Sequence, residues 1–375
     1  MQVKNDMKEN IYMDASASWL KPLSVIKGQV DFLSNSYANS GRGICERAGN
    51  VDIKIAQVRK CVADFINADV ENVVFTNGAT DGLNRIVDIV KQSLNGKFVV
   101  AVSDLDHHSA RLPWENLCKN NGCDLVVCPL DSALNIDIEN IPTCDVLIVS
   151  AMSNVLGIAQ DVEKIIKQAR IKNPNVITIV DAAQYVVHGK IDVKKWNCDF
   201  LVFSGHKIGA DTGVGIMYIK NADSYYPDKF GGGMINKILS DNTFILNKAP
   251  EKFEAGTLPL TQIIGLELAI AEFKKWNGGK DLIDYMYKEL LQIPNIKLIT
   301  TQDSCMISFV VNNMHVIDFG AMMGVHNICV RVGNMCASWI HKKLNIDGSV
   351  RLSVGPWNTM EEAIYVIDTI KKLVK

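Results

Sequence analysis

Net charge is nearly missing from this chain: 39 Lys and Arg face 41 Asp and Glu, a formal net charge of −2. So weak a field gives no means of gathering nucleic acid or an anionic membrane surface. The one dense lysine pair near the end, Lys371 and Lys372, closes a helical pattern, where cations complement the helix dipole. Runs of about eighteen apolar residues are absent, so no bilayer-spanning helix is predicted. Met1 to Asn10 are polar and contain no apolar signal core. Internal repeats and low-complexity tracts are also lacking, and no spacing suggests a metal site. No Cys-x-x-Cys occurs among ten scattered cysteines. That pattern predicts reduced thiols in the cytoplasm rather than a disulfide framework.

What is present is length and apolar content. At 375 residues with 48% hydrophobic side chains, the chain exceeds one simple core and predicts two domains. From residue 55 to 220, apolar runs alternate with helical patterns. The runs are Val73–Thr76, Phe98–Val102, Leu125–Cys128, Val146–Ser150, Val176–Val180 and Phe200–Phe203; Asp81–Gln92 and Val162–Ile171 are helical examples between them. Continuous apolar runs suit strands buried on both faces of a mainly parallel sheet. This alternation predicts an α/β fold whose ligands gather at the carboxyl ends of the strands. The pattern changes near Thr261, where an apolar helix over Thr261–Trp276 runs into the breaker Asn277-Gly278-Gly279. Beyond it a smaller α+β unit is expected, with strands Ile307–Val311, Ile328–Val332 and Val350–Val354. It closes with a helix that Thr359 and Glu362 begin as a capping box. The expected division is a large domain over 20–258 and a small one made of 259–375 together with the N-terminal segment 1–19.

The polar residues at the strand ends carry the chemistry. Val73–Thr76 leads through Asn77-Gly78-Ala79-Thr80 into a helix, whose first amides and the Thr80 hydroxyl suit a phosphate. An ordinary capped turn has the same sequence character. Asp181 ends an apolar strand, so its buried carboxylate needs a partner; a protonated ring nitrogen or a structural cation would each serve. Gln184 stands three residues on. His107 follows another strand; taken alone it reads first as an exposed loop residue, and with the other motifs it suits stacking on an aromatic ring. Lys207 lies among Ser204, His206, Gly209, Gly213 and Gly215, where Ser204 and His206 suit phosphate contacts. A lysine amine that captures an aldehyde, with a carboxylate on a ring nitrogen, suits pyridoxal 5'-phosphate. Cys336, near Arg331, Gly333 and Asn334, reads as a nucleophile or as a small buried side chain. Arg351, a charge inside an apolar run, suits a substrate carboxylate or a structural salt bridge.

Taken together these motifs resemble the class V, fold-type I pyridoxal-phosphate enzymes, and most closely their group II cysteine desulfurases. The resemblance runs nearly end to end: Tyr12-Met13-Asp14, Thr76–Gly82, Asp106-His107-His108, Ser153–Gly157, Val180–Gln184, Phe203–Lys207, Gly231–Ile235, Phe253–Thr257, Arg331–Ala337 and Val350–Asn358. It implies Lys207 as the lysine that joins the cofactor aldehyde, Asp181 on the ring nitrogen, Gln184 on the ring hydroxyl and His107 stacked on the ring. Ala79, Thr80, Ser204 and His206 would hold the phosphate, and Thr257 would reach the phosphate of a neighbouring subunit in a homodimer. Asn154 and Arg351 would bind the substrate carboxylate. Cys336, on a flexible loop, would take sulfur from L-cysteine as a persulfide and pass it to an acceptor protein, leaving L-alanine. The alternatives are a selenocysteine lyase or another class V C–S lyase or epimerase, and an inactive scaffold for sulfur-carrier proteins. The chain departs from the group at Ile208-Gly209-Ala210-Asp211, where Gly-Pro is usual after the lysine. Ala79 replaces a second threonine, and Cys45 replaces a histidine in Arg42-Gly43-Ile44-Cys45.

Overall fold

The computed structural model describes residues 10–41, 43–94, 96–240 and 243–375. The polar stretch up to Glu9 and the Arg42 of the Arg42–Cys45 motif lie outside them. The chain divides into two compact units. One comprises Leu20–Met152 and Gln160–Lys275; the other the segment ending at Trp19, Ser153–Ala159 and Trp276–Lys375.

The larger unit is built on a seven-stranded sheet in the order Val73–Thr76, Gly215–Ile219, Phe200–Ser204, Ile177–Asp181, Val146–Ser150, Val99–Ser103, Asp124–Cys128. The last five are mutually parallel, and their central members are buried along their whole length. Burial on both faces explains why these strands read as unbroken Val, Ile, Leu and Phe. Gly215–Ile219 runs antiparallel to both neighbours. Helices cover the sheet, among them Ala79–Lys91 and His108–Asn121, and the core gathers Ile86, Val102, Trp114, Val146, Ile148, Ile179, Phe200, Val202 and Met217. Because Val73–Thr76 and Phe200–Ser204 both oppose Gly215–Ile219, their carboxyl ends emerge on the same edge.

The smaller unit holds an antiparallel sheet ordered Ile296–Leu298, Ile307–Val311, Ser349–Leu352, Arg331–Gly333. Strand Ile11–Tyr12 pairs in parallel with Ile328–Cys329. Helices Lys280–Leu291 and Met360–Leu373 pack on this sheet around Phe309, Phe319, Leu352, Val366 and Ile370. Thr359 and Glu362 form the capping box at the start of the last helix, a device that contributes on the order of 1 kcal/mol.

Four expectations need correction. The units part at Trp276 rather than after residue 258, because helix Leu260–Phe273 packs on Leu23–Asp31 and Glu46–Ile66. A Cβ on Gly28 would lie 2.3 Å from Leu268 Cδ1, so that helix crossing is close. The Ser153–Ala159 segment belongs to the smaller unit. The expected strand Ile328–Val332 is two short ones, Ile328–Cys329 and Arg331–Gly333, in different sheets. Cys118 and Cys123 form a disulfide, not two thiols. Helix His108–Asn121 ends on Gly122 at φ +71°, which turns the chain back and brings the two Cα atoms to 4.4 Å. The other eight cysteines are free.

Candidate active site

The Asn77-Gly78-Ala79-Thr80 turn is shaped by close backbone approach. Gly78 has φ +144°, and a Cβ on Gly215 would sit 2.5 Å from Gly78 Cα and 2.7 Å from the Phe203 carbonyl oxygen. This brings the start of helix Ala79–Lys91 to the end of strand Phe200–Ser204, where the Ala79 amide donates to Ser204 Oγ at 2.8 Å. Thr80, at the second helical position, is exposed.

His206 and Lys207 lie in the short turn Gly205–Ile208 that follows Ser204. Burial, and then the Lys207 charge, push the His206 imidazole down to about 4. The same two causes in the same order bring His107 to about 4. Lys207 also opposes the burial that raises Asp181, so one cation acts on all three groups. Asp181 ends its strand, and its Oδ1 accepts from the Ala183 amide at 2.9 Å. The Ser109 amide donates to His107 Nδ1 at 3.2 Å, so that nitrogen is bare and the neutral ring carries its proton on Nε2. Gln184, buried, has an Nε2 without a partner. Thr257 is placed elsewhere, on an open cavity of about 740 Å³ lined also by Asn39, Asp52, Arg59, Gly232 and Glu254. Glu254 fixes that segment by gripping Arg59 at 2.7 and 2.8 Å and accepting from the Phe75 amide at 2.8 Å.

In the smaller unit, Arg351 donates through Nη1 to the Asn154 carbonyl at 2.7 Å and lies 3.3 Å from Asp14 through Nη2; its buried Nε has no partner. Asn154 Nδ2 donates to the Met335 carbonyl at 2.8 Å. Cys336 comes next in the chain and is exposed. Asn154, Arg351 and the Cys336 turn therefore form one connected set.

Sequence reasoning left two groups without roles. Asp14, seen only as part of a motif, pairs with both Arg331, at 2.5 Å, and Arg351. Asp106 is buried, and accepts from the Ser103 amide at 2.6 Å and the Ser150 hydroxyl at 2.8 Å. Burial pushes its carboxyl up to about 7, with Asp181 adding to the rise. A carboxylate inside an apolar strand–loop junction was the available signal.

The doubly wound sheet with its polar groups at the strand ends is the architecture of fold-type I pyridoxal-phosphate enzymes. A family model, aminotransferase class-V, matches residues 11–366, and the chain belongs to that family. It is 36% identical to a "Probable cysteine desulfurase" of Borreliella burgdorferi over 99% of this chain and 93% of that protein. An apo cysteine desulfurase structure from Thermococcus onnurineus superimposes with a TM-score of 0.91 at 30% identity, covering 97% of this chain and 94% of that one. An Escherichia coli cysteine desulfurase in an S-sulfonic acid form gives 0.89 at 28% identity, covering 97% and 94%.

The family depends on pyridoxal 5'-phosphate, and the residues of the larger unit fit it. Gln184 Nε2 is a buried donor lacking an acceptor, and Asp181 is a desolvated carboxyl that a ring N–H would satisfy. The Ala79 amide at the helix start donates to Ser204 Oγ, and a dianion bound there would accept that donor in the hydroxyl's place. No helix among the described residues is long and apolar enough to cross a membrane.

Proposed function

We propose that this chain is a cysteine desulfurase, converting L-cysteine to L-alanine while Cys336 accepts the sulfur as a persulfide and passes it to an acceptor protein. Atoms balance in that step: the substrate C–S bond breaks, an S–S bond forms at Cys336, and the carbon left behind takes up a proton. The observation that carries the reading is the exposed Cys336 thiol beside the carbonyl that Asn154 grips, Asn154 itself being held by Arg351. The names of the relatives support it.

When bound, the cofactor supplies an aldehyde for amine capture and a protonated ring that draws electrons from the substrate Cα. The Asp181 carboxylate would keep the ring nitrogen protonated, and Gln184 Nε2 would donate to the ring oxygen. Lys207 would be the amine that holds the aldehyde between turnovers and, once released, would take the proton from the substrate Cα. Neutral His107, with its proton on Nε2, would cover the ring. The Ala79 amide, Thr80, Ser204 and His206 would hold the phosphate. Asn154 and the free Nε of Arg351 take the substrate carboxylate. Thr257, on its separate cavity, serves the phosphate of a second subunit, which makes the working form a homodimer. The eight free cysteines suit a cytoplasmic location, to which the Cys118–Cys123 disulfide is the exception.

The test is Cys336→Ala with cysteine as substrate, following alanine and sulfide, together with mass spectrometry of wild-type Cys336. One added sulfur on Cys336, and loss of turnover in the variant with the cofactor absorbance intact, are expected. Sulfide release unchanged by the substitution would overturn the persulfide step; selenocysteine cleavage alone would point to a lyase, and no yellow cofactor band to a scaffold.

A further inference from the structure

The turn that carries Cys336 joins strand Arg331–Gly333 to helix Ser338–Lys343. Gly333, Met335 and Cys336 have φ of +97°, +49° and +54°, the left-handed region that residues with a Cβ occupy at a cost. Such a backbone persists only where its surroundings fix it. Pairing of Gly333 with Ser349 on the next strand fixes the entry, and Asn154 grips the Met335 carbonyl. His341 holds the exit. Its ring is 1% exposed, with Nδ1 2.9 Å from the Ala337 carbonyl oxygen and Nε2 3.0 Å from Ser349 Oγ. A carbonyl only accepts, so Nδ1 carries the proton and Nε2 accepts from the Ser349 hydroxyl. Ser349 therefore anchors both ends of the turn, one through its backbone and one through the imidazole. Filling the same space with an aliphatic side chain would satisfy packing but leave Ala337 and Ser349 unlinked.

We propose that His341 is a positioning residue that closes the Cys336 turn onto the strand bearing Arg351, so that the thiol is presented from a fixed backbone. The proposal rests on the reading of Cys336 as sulfur acceptor, and its test reads the turn independently of turnover. In the cofactor-loaded enzyme, hydrogen exchange of residues 334–337 and the rate of Cys336 alkylation by iodoacetamide are compared in wild type, His341→Phe, His341→Asn and Ser349→Ala. His341→Phe should raise both rates about tenfold, the factor for losing two buried hydrogen bonds at about threefold each. It should also lower kcat while KM for cysteine and the cofactor absorbance hold. An asparagine reaches the carbonyl four residues back, as Asn84 does to Thr80 at 2.8 Å, so His341→Asn keeps one of the two contacts and should raise both rates only about threefold. Ser349→Ala, a smaller change that keeps the fold if His341→Phe does not, should raise both rates about threefold. Wild-type rates in Ser349→Ala, or an Asn variant as loose as Phe, would overturn the proposal. Absence of sulfur on wild-type Cys336 would instead defeat the functional reading and leave the exchange result standing.

Discussion

Replacing Asp106 by Asn should make the larger unit more stable at neutral pH and change nothing in acid. The carboxyl is fully enclosed and pushed up to about 7 from its ordinary 3.8, even though it accepts from the Ser103 amide and the Ser150 hydroxyl. Between those two values the folded protein holds a proton that the unfolded chain has released. Stability must then fall as pH rises from about 4 to about 7, and stay reduced above that. A difference of about three pH units at 1.36 kcal/mol each is about 4 kcal/mol. An Asn side chain accepts from the Ser103 amide through Oδ1 and donates to Ser150 Oγ through Nδ2, so both contacts survive without the charge. Urea unfolding of both proteins from pH 4 to 8, followed by circular dichroism, measures the effect. The gap in unfolding free energy should be near zero at pH 4 and widen by about 4 kcal/mol by pH 7. A gap that does not change with pH would refute the reasoning, because it would mean that Asp106 titrates normally in the folded state.

Other perturbations have separate readouts. Asp14→Asn removes the partner of Arg351, which is 3% exposed, and of Arg331; unfolding midpoints should drop by the equivalent of about 3 kcal/mol and KM for cysteine should rise. Gly215→Ala drives a Cβ to 2.5 Å from Gly78 Cα; it should cost about 1–3 kcal/mol and weaken cofactor affinity, measured by fluorescence titration. His107 and His206 stay neutral down to about pH 4 when folded. Their stabilisation is therefore present above pH 6.5 and lost as pH falls toward 4, and His206→Asn should flatten that acid limb by about 1–2 kcal/mol, discounted for its partial exposure.

Much of this was legible because the parallel strands are buried on both faces. Val73–Thr76 and Val146–Ser150 stand where their apolar runs put them, and the polar groups follow the strand ends as the topology requires. Gly215–Ile219 was missed because it begins within the glycines around Lys207, which look like loop, and it takes its strand character from two flanking strands. The hairpin of Ile235–Ser240 and Thr243–Leu246 is largely exposed and lacks the inward-outward alternation that marks a half-buried strand. Residues joined across long separations left no local trace: Asp14 with Arg351, and Arg59 with Glu254. The Cys118–Cys123 bond depends on the left-handed Gly122, a conformation that spacing alone does not specify.

Attachment of the cofactor at Lys207 is the claim on which the rest depends. Borohydride reduction of the yellow holoenzyme, followed by digestion and mass spectrometry, should place a phosphopyridoxyl group on the peptide containing Lys207 and on no other lysine. A label on a different residue, or none after full reduction, would contradict the account.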